Sequence, residues 1–148
     1  MKKSLQNRFL LPTVGAIVVA FVAYLALSTH QTGDALNQVV IEEMVQLDAV
    51  FRDVVSAVAV GDGHRVHDAL EKMHGTMEKT HEGVHHGTVT LKKNADRMKD
   101  FVAQDKQFHG KLEELATAAH RNDGNAMLKL TKDLLDRCVK CHRDFRQP

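Results

Sequence analysis

Residues 125–146, NAMLKLTKDLLDRCVKCHRDFR, decide the reading of this chain. Met127, Leu130, Leu134, Cys138, Cys141 and Phe145 recur at steps of three and four, which lays them along one face of a helix. Both cysteines therefore lie on the stripe that faces a core. Cys138, Val139, Lys140, Cys141 and His142 spell CxxCH, the attachment signature of a c-type haem. The two thiols sit about one turn apart on one side, so they can add to the vinyl groups of a single porphyrin. The adjoining imidazole then becomes the proximal ligand of the iron.

Other chemistries do not suit the same residues. A thioredoxin-like CxxC belongs in a βαβ setting, and no strand alternation is visible. A structural zinc site wants four ligands, but Cys138 and Cys141 are the only cysteines. A static disulfide between positions three apart on one helix is poor geometry and leaves His142 unexplained.

Working back toward the N-terminus, the pattern predicts three more helices. One covers about residues 91–121, with Ala95, Met98, Val102, Leu112, Leu115 and Ala119 on its stripe, interrupted by Asp105. Another covers about 64–82, with Val66, Leu70, Met73 and Met77, and Gly75 weakens it. The first covers about 34–60, with Val40, Met44, Leu47, Phe51, Val54 and Val58. Glycine-bearing breaks at 61–63, 83–87 and 122–124 separate them. The expected fold is all-α: an up-down-up-down four-helix bundle, whose cofactor sites lie between facing helices.

An N-terminal segment precedes the bundle. Residues 9–27 carry no charge and follow Lys2, Lys3 and Arg8. The run exceeds the roughly 7–15 apolar residues of a cleavable signal and approaches the about 20 of a membrane span. Residues 1–30 are thus expected to be an export signal or transmembrane anchor, and 31–148 the haem domain. The basic start puts the following chain outside the cytoplasm. The expected location is the periplasm, tethered to the inner membrane by residues 9–27. Ala26 and Ser28 offer a small-x-small cleavage site, so a soluble form after signal cleavage remains the alternative.

Composition narrows the function. Without Lys2, Lys3 and Arg8 the chain has 17 basic against 19 acidic residues, and no basic patch for nucleic acid emerges. It has no Trp, and beyond the apolar segment its large rings are Phe51, Phe101, Phe108 and Phe145. A buried porphyrin would supply the missing flat apolar bulk. Nothing resembles a nucleophile with its base or a phosphate-cradling loop, so no enzyme activity is expected. The pairs Glu42 with Glu43 and Glu113 with Glu114 read as solvated helix faces, and His109 and His120 as surface residues.

Export signal, four helices, CxxCH inside the last helix and Arg146 four residues beyond the haem histidine together resemble the class II cytochromes c, the cytochrome c-prime family. The likeness covers about residues 34–147. It is tightest from Phe108 through Leu115, Ala118, Ala119 and Asp123 to CVKCHRDFR. The resemblance implies one covalently attached haem c, and it places Arg146 near the proximal imidazole. A plain helix C-terminal cation would account for Arg146 equally well.

In that family a residue of the first helix covers the distal face. An apolar side chain leaves five-coordinate iron open to diatomic gases, and a methionine gives six-coordinate iron suited to electron transfer. Met44 is the candidate distal ligand. His142 lies 17 residues from the turn level near Asn125, and equal rise along an antiparallel first helix brings position 43 to the same height. A methionine at helical spacing also serves as core filler, and Val40 or Leu47 over the iron would leave it five-coordinate.

The expected function is therefore a one-electron carrier with periplasmic or membrane redox partners. The alternative is a binder of nitric oxide or carbon monoxide. The resemblance also implies a homodimer. His67, His74 and His81 recur every seven residues, beside His64, His85 and His86. They read as a solvated polar face, as a surface metal site at His81 and His85, or as the source of a second axial histidine.

Overall fold

The computed structural model describes residues 22–24 and 37–146. The chain divides into two compact units, Met1–Leu36 and Asn37–Pro148. Most of the expected anchor lies outside the described residues. Among those described, no helix is long and apolar enough to cross a membrane.

The second unit is an all-helical bundle of five α-helices: α1 Gln38–Ala59, α2 Gly63–Glu71, α3 Thr76–His85, α4 Met98–His120 and α5 Gly124–Phe145. A 3₁₀ turn, Ala95–Arg97, leads into α4. The core runs through Val50 and Val54 of α1, Val66 and Leu70 of α2, Leu112 and Leu115 of α4, and Met127 and Leu134 of α5. Side-chain caps start two of the helices. Asp62 accepts a hydrogen bond from the Arg65 N–H at 3.0 Å, and Asp123 one from the Ala126 N–H at 3.0 Å. These caps satisfy backbone donors at the starts of α2 and α5.

Two elements differ from the sequence expectation. The single helix over 64–82 is two helices, because Gly75 adopts φ +79° and breaks the run between them. The helix expected from residue 91 begins at Met98, because Asn94 takes a left-handed conformation at φ 53° and redirects the chain. Residues 86–94 cross instead to the end of α5, where Lys93 Nζ donates to the Arg143 carbonyl at 2.5 Å. Asn94 Nδ2 donates to that of Asp144 at 2.6 Å. Phe145 is held edge-on by Phe101 at 5.6 Å and covered by Arg97 at 5.4 Å. The last turn of α5, just past the CxxCH motif, is thereby fixed on three sides.

Gly63 marks the closest helix contact. A Cβ there would stand 2.4 Å from the Ala119 carbonyl oxygen. Its bare N–H donates instead to Asn122 Oδ1 at 3.0 Å, tying the start of α2 to the end of α4.

Candidate haem site

The α1 stripe is the key to the site. Val54 and Ala57 near its C-terminal end are fully buried, but Val40, Met44, Leu47 and Phe51 are only half covered. Ile41, Val45 and Val55 of α1 and Leu135 and Val139 of α5 are exposed outright. Apolar side chains on these facing helices thus frame an opening rather than a closed core.

Two clefts meet along this α1–α5 seam. One, of about 720 Å³, is lined by Val40, Ile41, Met44, Cys141, His142 and Arg146 among others. The other, of about 550 Å³, is lined by Met44, Leu47, Phe51, Leu135, Cys138 and His142 among others. Both volumes fall in the range of roughly 300–1,000 Å³ typical of cofactor clefts. A smaller hollow joins Met44, Phe108, Cys138, Cys141 and His142 to Asp105. Met44 and His142 line all three, and Cys138 and Cys141 open to opposite clefts.

The cysteine side chains are half-buried and form no disulfide with each other. Burial raises the pKa of Cys138. Burial, and then the negative charges of Asp105, Cys138 and Asp144, push Cys141 up to about 11. Both shifts favour the protonated thiol over the thiolate that metal binding and disulfide exchange require. Burial and the Arg146 guanidinium lower the pKa of His142. A neutral imidazole is the form that ligates iron. Paired thiols a turn apart, a neutral imidazole beside them and apolar walls around the opening fit a covalently held porphyrin.

Next to the small hollow lies a buried polar cluster that sequence reasoning missed. Glu43 is 2 % exposed, Asp105 7 % and His109 8 %. His109 Nε2 lies 2.8 Å from Glu43 Oε1, His81 Nε2 2.9 Å from Asp105 Oδ2, and Thr80 Oγ1 donates to Glu43 Oε2 at 2.5 Å. Glu43 and His109 are therefore not surface residues, because three helices converge on them and each supplies the other's partner. His81 leaves the solvated row for the same reason. His85 is exposed and stacks edge-on against His86, so the i, i+4 pair does not converge on one point. No histidine other than His142 lines the three hollows. The one advance signal was Asp105 interrupting an apolar stripe. His64, His67, His74 and His86 pair loosely with neighbouring carboxylates on the exposed face, and His120 is exposed as expected.

Comparison with protein families finds that the model described as Cytochrome C' matches residues 35–146. Comparison with curated proteins and with solved structures returns no match.

Proposed function

This chain belongs to the cytochrome c-prime family, whose members carry covalently attached haem c, and on that premise we propose that it is a periplasmic one-electron carrier in which Met44 and His142 would hold the haem iron. The observation that carries the reading is the shared lining: Met44 of α1 and His142 of α5 border every hollow of the seam. The bound haem supplies an iron that cycles between ferric and ferrous states.

The chain's own residues do the rest. Cys138 and Cys141 would hold the haem through two thioethers, each thiol's sulfur going to one vinyl carbon and its hydrogen to the other, with no net oxidation or reduction. Their position on the fixed last turns of α5 holds the ring against the seam. His142, whose pKa is lowered by burial and by Arg146, would offer its ring nitrogen to the iron. Arg146 lines the same cleft, where its positive charge opposes accumulation of charge on the imidazole. Met44 would offer a thioether from the facing helix, and two protein ligands held by packed helices would keep reorganisation on electron transfer small.

The up-down-up-down arrangement belongs to the same reading, with α2 and α3 together forming the second rod. So does residence in the periplasm, held at the inner membrane through residues 9–27, whose lack of charge after Lys2, Lys3 and Arg8 supports it. Redox partners would then be periplasmic or membrane proteins, and a homodimer would gain from confinement to the membrane surface.

Val40 and Leu47 flank Met44 in these clefts, which favours one specific second reading. If either covers the iron, the protein binds nitric oxide or carbon monoxide at an open position. The test is the visible spectrum of the ferrous protein with and without carbon monoxide. Sharp split bands unchanged by the gas support the carrier. A broad high-spin spectrum that shifts on adding the gas overturns it in favour of the binder.

A further inference from the structure

The polar cluster beside the haem clefts has the geometry of a metal centre. Glu43 of α1 and Asp105 and His109 of α4 each bring one ligand atom within 4.8 Å of the others, and all three are buried. His109 Nε2 stands 2.8 Å from Glu43 Oε1 and 3.8 Å from Asp105 Oδ1. Around a tetrahedral ion with bonds of about 2.0–2.2 Å, adjacent ligand atoms lie roughly 3.3–3.6 Å apart. The two spacings from His109 straddle that value, and all three ligand atoms lie within 4.8 Å of one another.

The second oxygen of each carboxylate is already engaged from α3. Thr80 Oγ1 donates to Glu43 Oε2 and His81 Nε2 contacts Asp105 Oδ2, which leaves Oε1 and Oδ1 turned toward His109. This division between ligating and orienting contacts is how metal sites are held. The charges agree. Two carboxylates and a neutral imidazole carry two negative charges, which one divalent cation cancels inside a low-dielectric core. Oxygen and imidazole donors without a thiolate suit zinc, manganese or ferrous iron rather than softer ions.

We propose that Glu43, Asp105 and His109 bind one divalent transition-metal ion, with Thr80 and His81 as orienting residues and a further position open to water. The proposal does not depend on the electron-carrier reading: Asp105 borders the small hollow of the seam, but none of the five residues is assigned to hold the haem.

The test uses the haem-loaded protein and zinc. Exposed histidines would capture zinc adventitiously, so His64, His67, His74, His85, His86 and His120 are replaced by glutamine in the background. That protein is expected to keep one zinc per chain after equilibrium dialysis at pH 7.5, and to unfold at higher temperature with zinc than with chelator. His81→Gln, at a half-buried position, should weaken zinc binding about 10- to 100-fold. Asp105→Asn and His109→Gln should weaken it further, with circular dichroism verifying the fold. Zinc held by the parent but lost with the six surface histidines overturns the proposal, as does unchanged affinity in the folded His81→Gln and Asp105→Asn proteins. Either outcome would leave the cluster as buried ion pairs alone, while the carbon monoxide test of the haem stands separately.

Discussion

In the proposed reading, a single side chain at position 44 decides between two functions. A thioether on the iron blocks the open position, so an incoming gas must first displace it. Removing it by Met44→Ala would convert a low-spin spectrum to a high-spin one. It would also strengthen carbon monoxide binding by at least about tenfold, equivalent to roughly 1.4 kcal/mol of lost competition. Carbon monoxide titration of the ferrous variant measures both. A spectrum identical to that of the parent would remove Met44 from the iron. Arg146 is testable in the same way. Its guanidinium lowers the pKa of His142 through space, and it lines the same cleft. Arg146→Gln should lower the midpoint potential, since a nearby positive charge disfavours the ferric state. A cap with no electrostatic role would leave the potential unchanged while costing only about 0.3–1 kcal/mol of stability.

Helix boundaries and contacts carry a different kind of constraint. Gly63 lets α2 start against the end of α4, where a methyl group would meet the Ala119 carbonyl. Gly63→Ala should therefore destabilise the bundle by about 2 kcal/mol, as overpacking does, and lower the thermal midpoint by roughly 10 °C. Thermal unfolding followed by circular dichroism reads this directly. The periodic parts of these elements were legible in advance. Leu112 and Leu115 in α4, and Met127, Leu134 and Phe145 in α5, are buried where three-and-four spacing put them. The CxxCH motif stood out because its chemistry is local to one turn. What spacing could not reveal depends on convergence. Glu43 reads as one of a solvated acidic pair until Thr80 and His109, 37 and 66 residues away, close over it. The half-open face of α1 was hidden for the opposite reason: Met44, Leu47 and Phe51 carry core periodicity, but the helix facing them leaves room for a cofactor. Gly75 looked like a weak point and proved to be a break, because a left-handed residue cannot continue a helix.

For the molecule as a whole, the buried cluster links α1, α3 and α4, so its protonation is coupled to global stability. Asp105 is raised to about 6 by burial and by the charge of Glu43, against the lowering influence of His109 and His81. Burial opposes charging of His109, but Glu43 and Asp105 outweigh it and raise its pKa, with a smaller contribution from Glu78. Both groups thus hold protons more tightly in the folded state than in the unfolded chain, where Asp105 would titrate near its ordinary 3.8 and His109 near 6.5. At these two groups the folded state then binds more protons, and their contribution to stability falls as pH rises through these windows. For Asp105 the window runs from about 4 to about 6, and for His109 it opens just above 6.5. In chelator the thermal midpoint should accordingly decline between pH 5 and pH 8. Asp105→Asn should flatten the part of that decline below pH 6. Zinc would reverse the trend, because the ion displaces the same protons and binds better as they leave. Paired melts at pH 6 and pH 8, with and without zinc, should show the stabilisation by zinc growing with pH. A zinc effect equal at both values would mean that the ion binds elsewhere than at Glu43, Asp105 and His109.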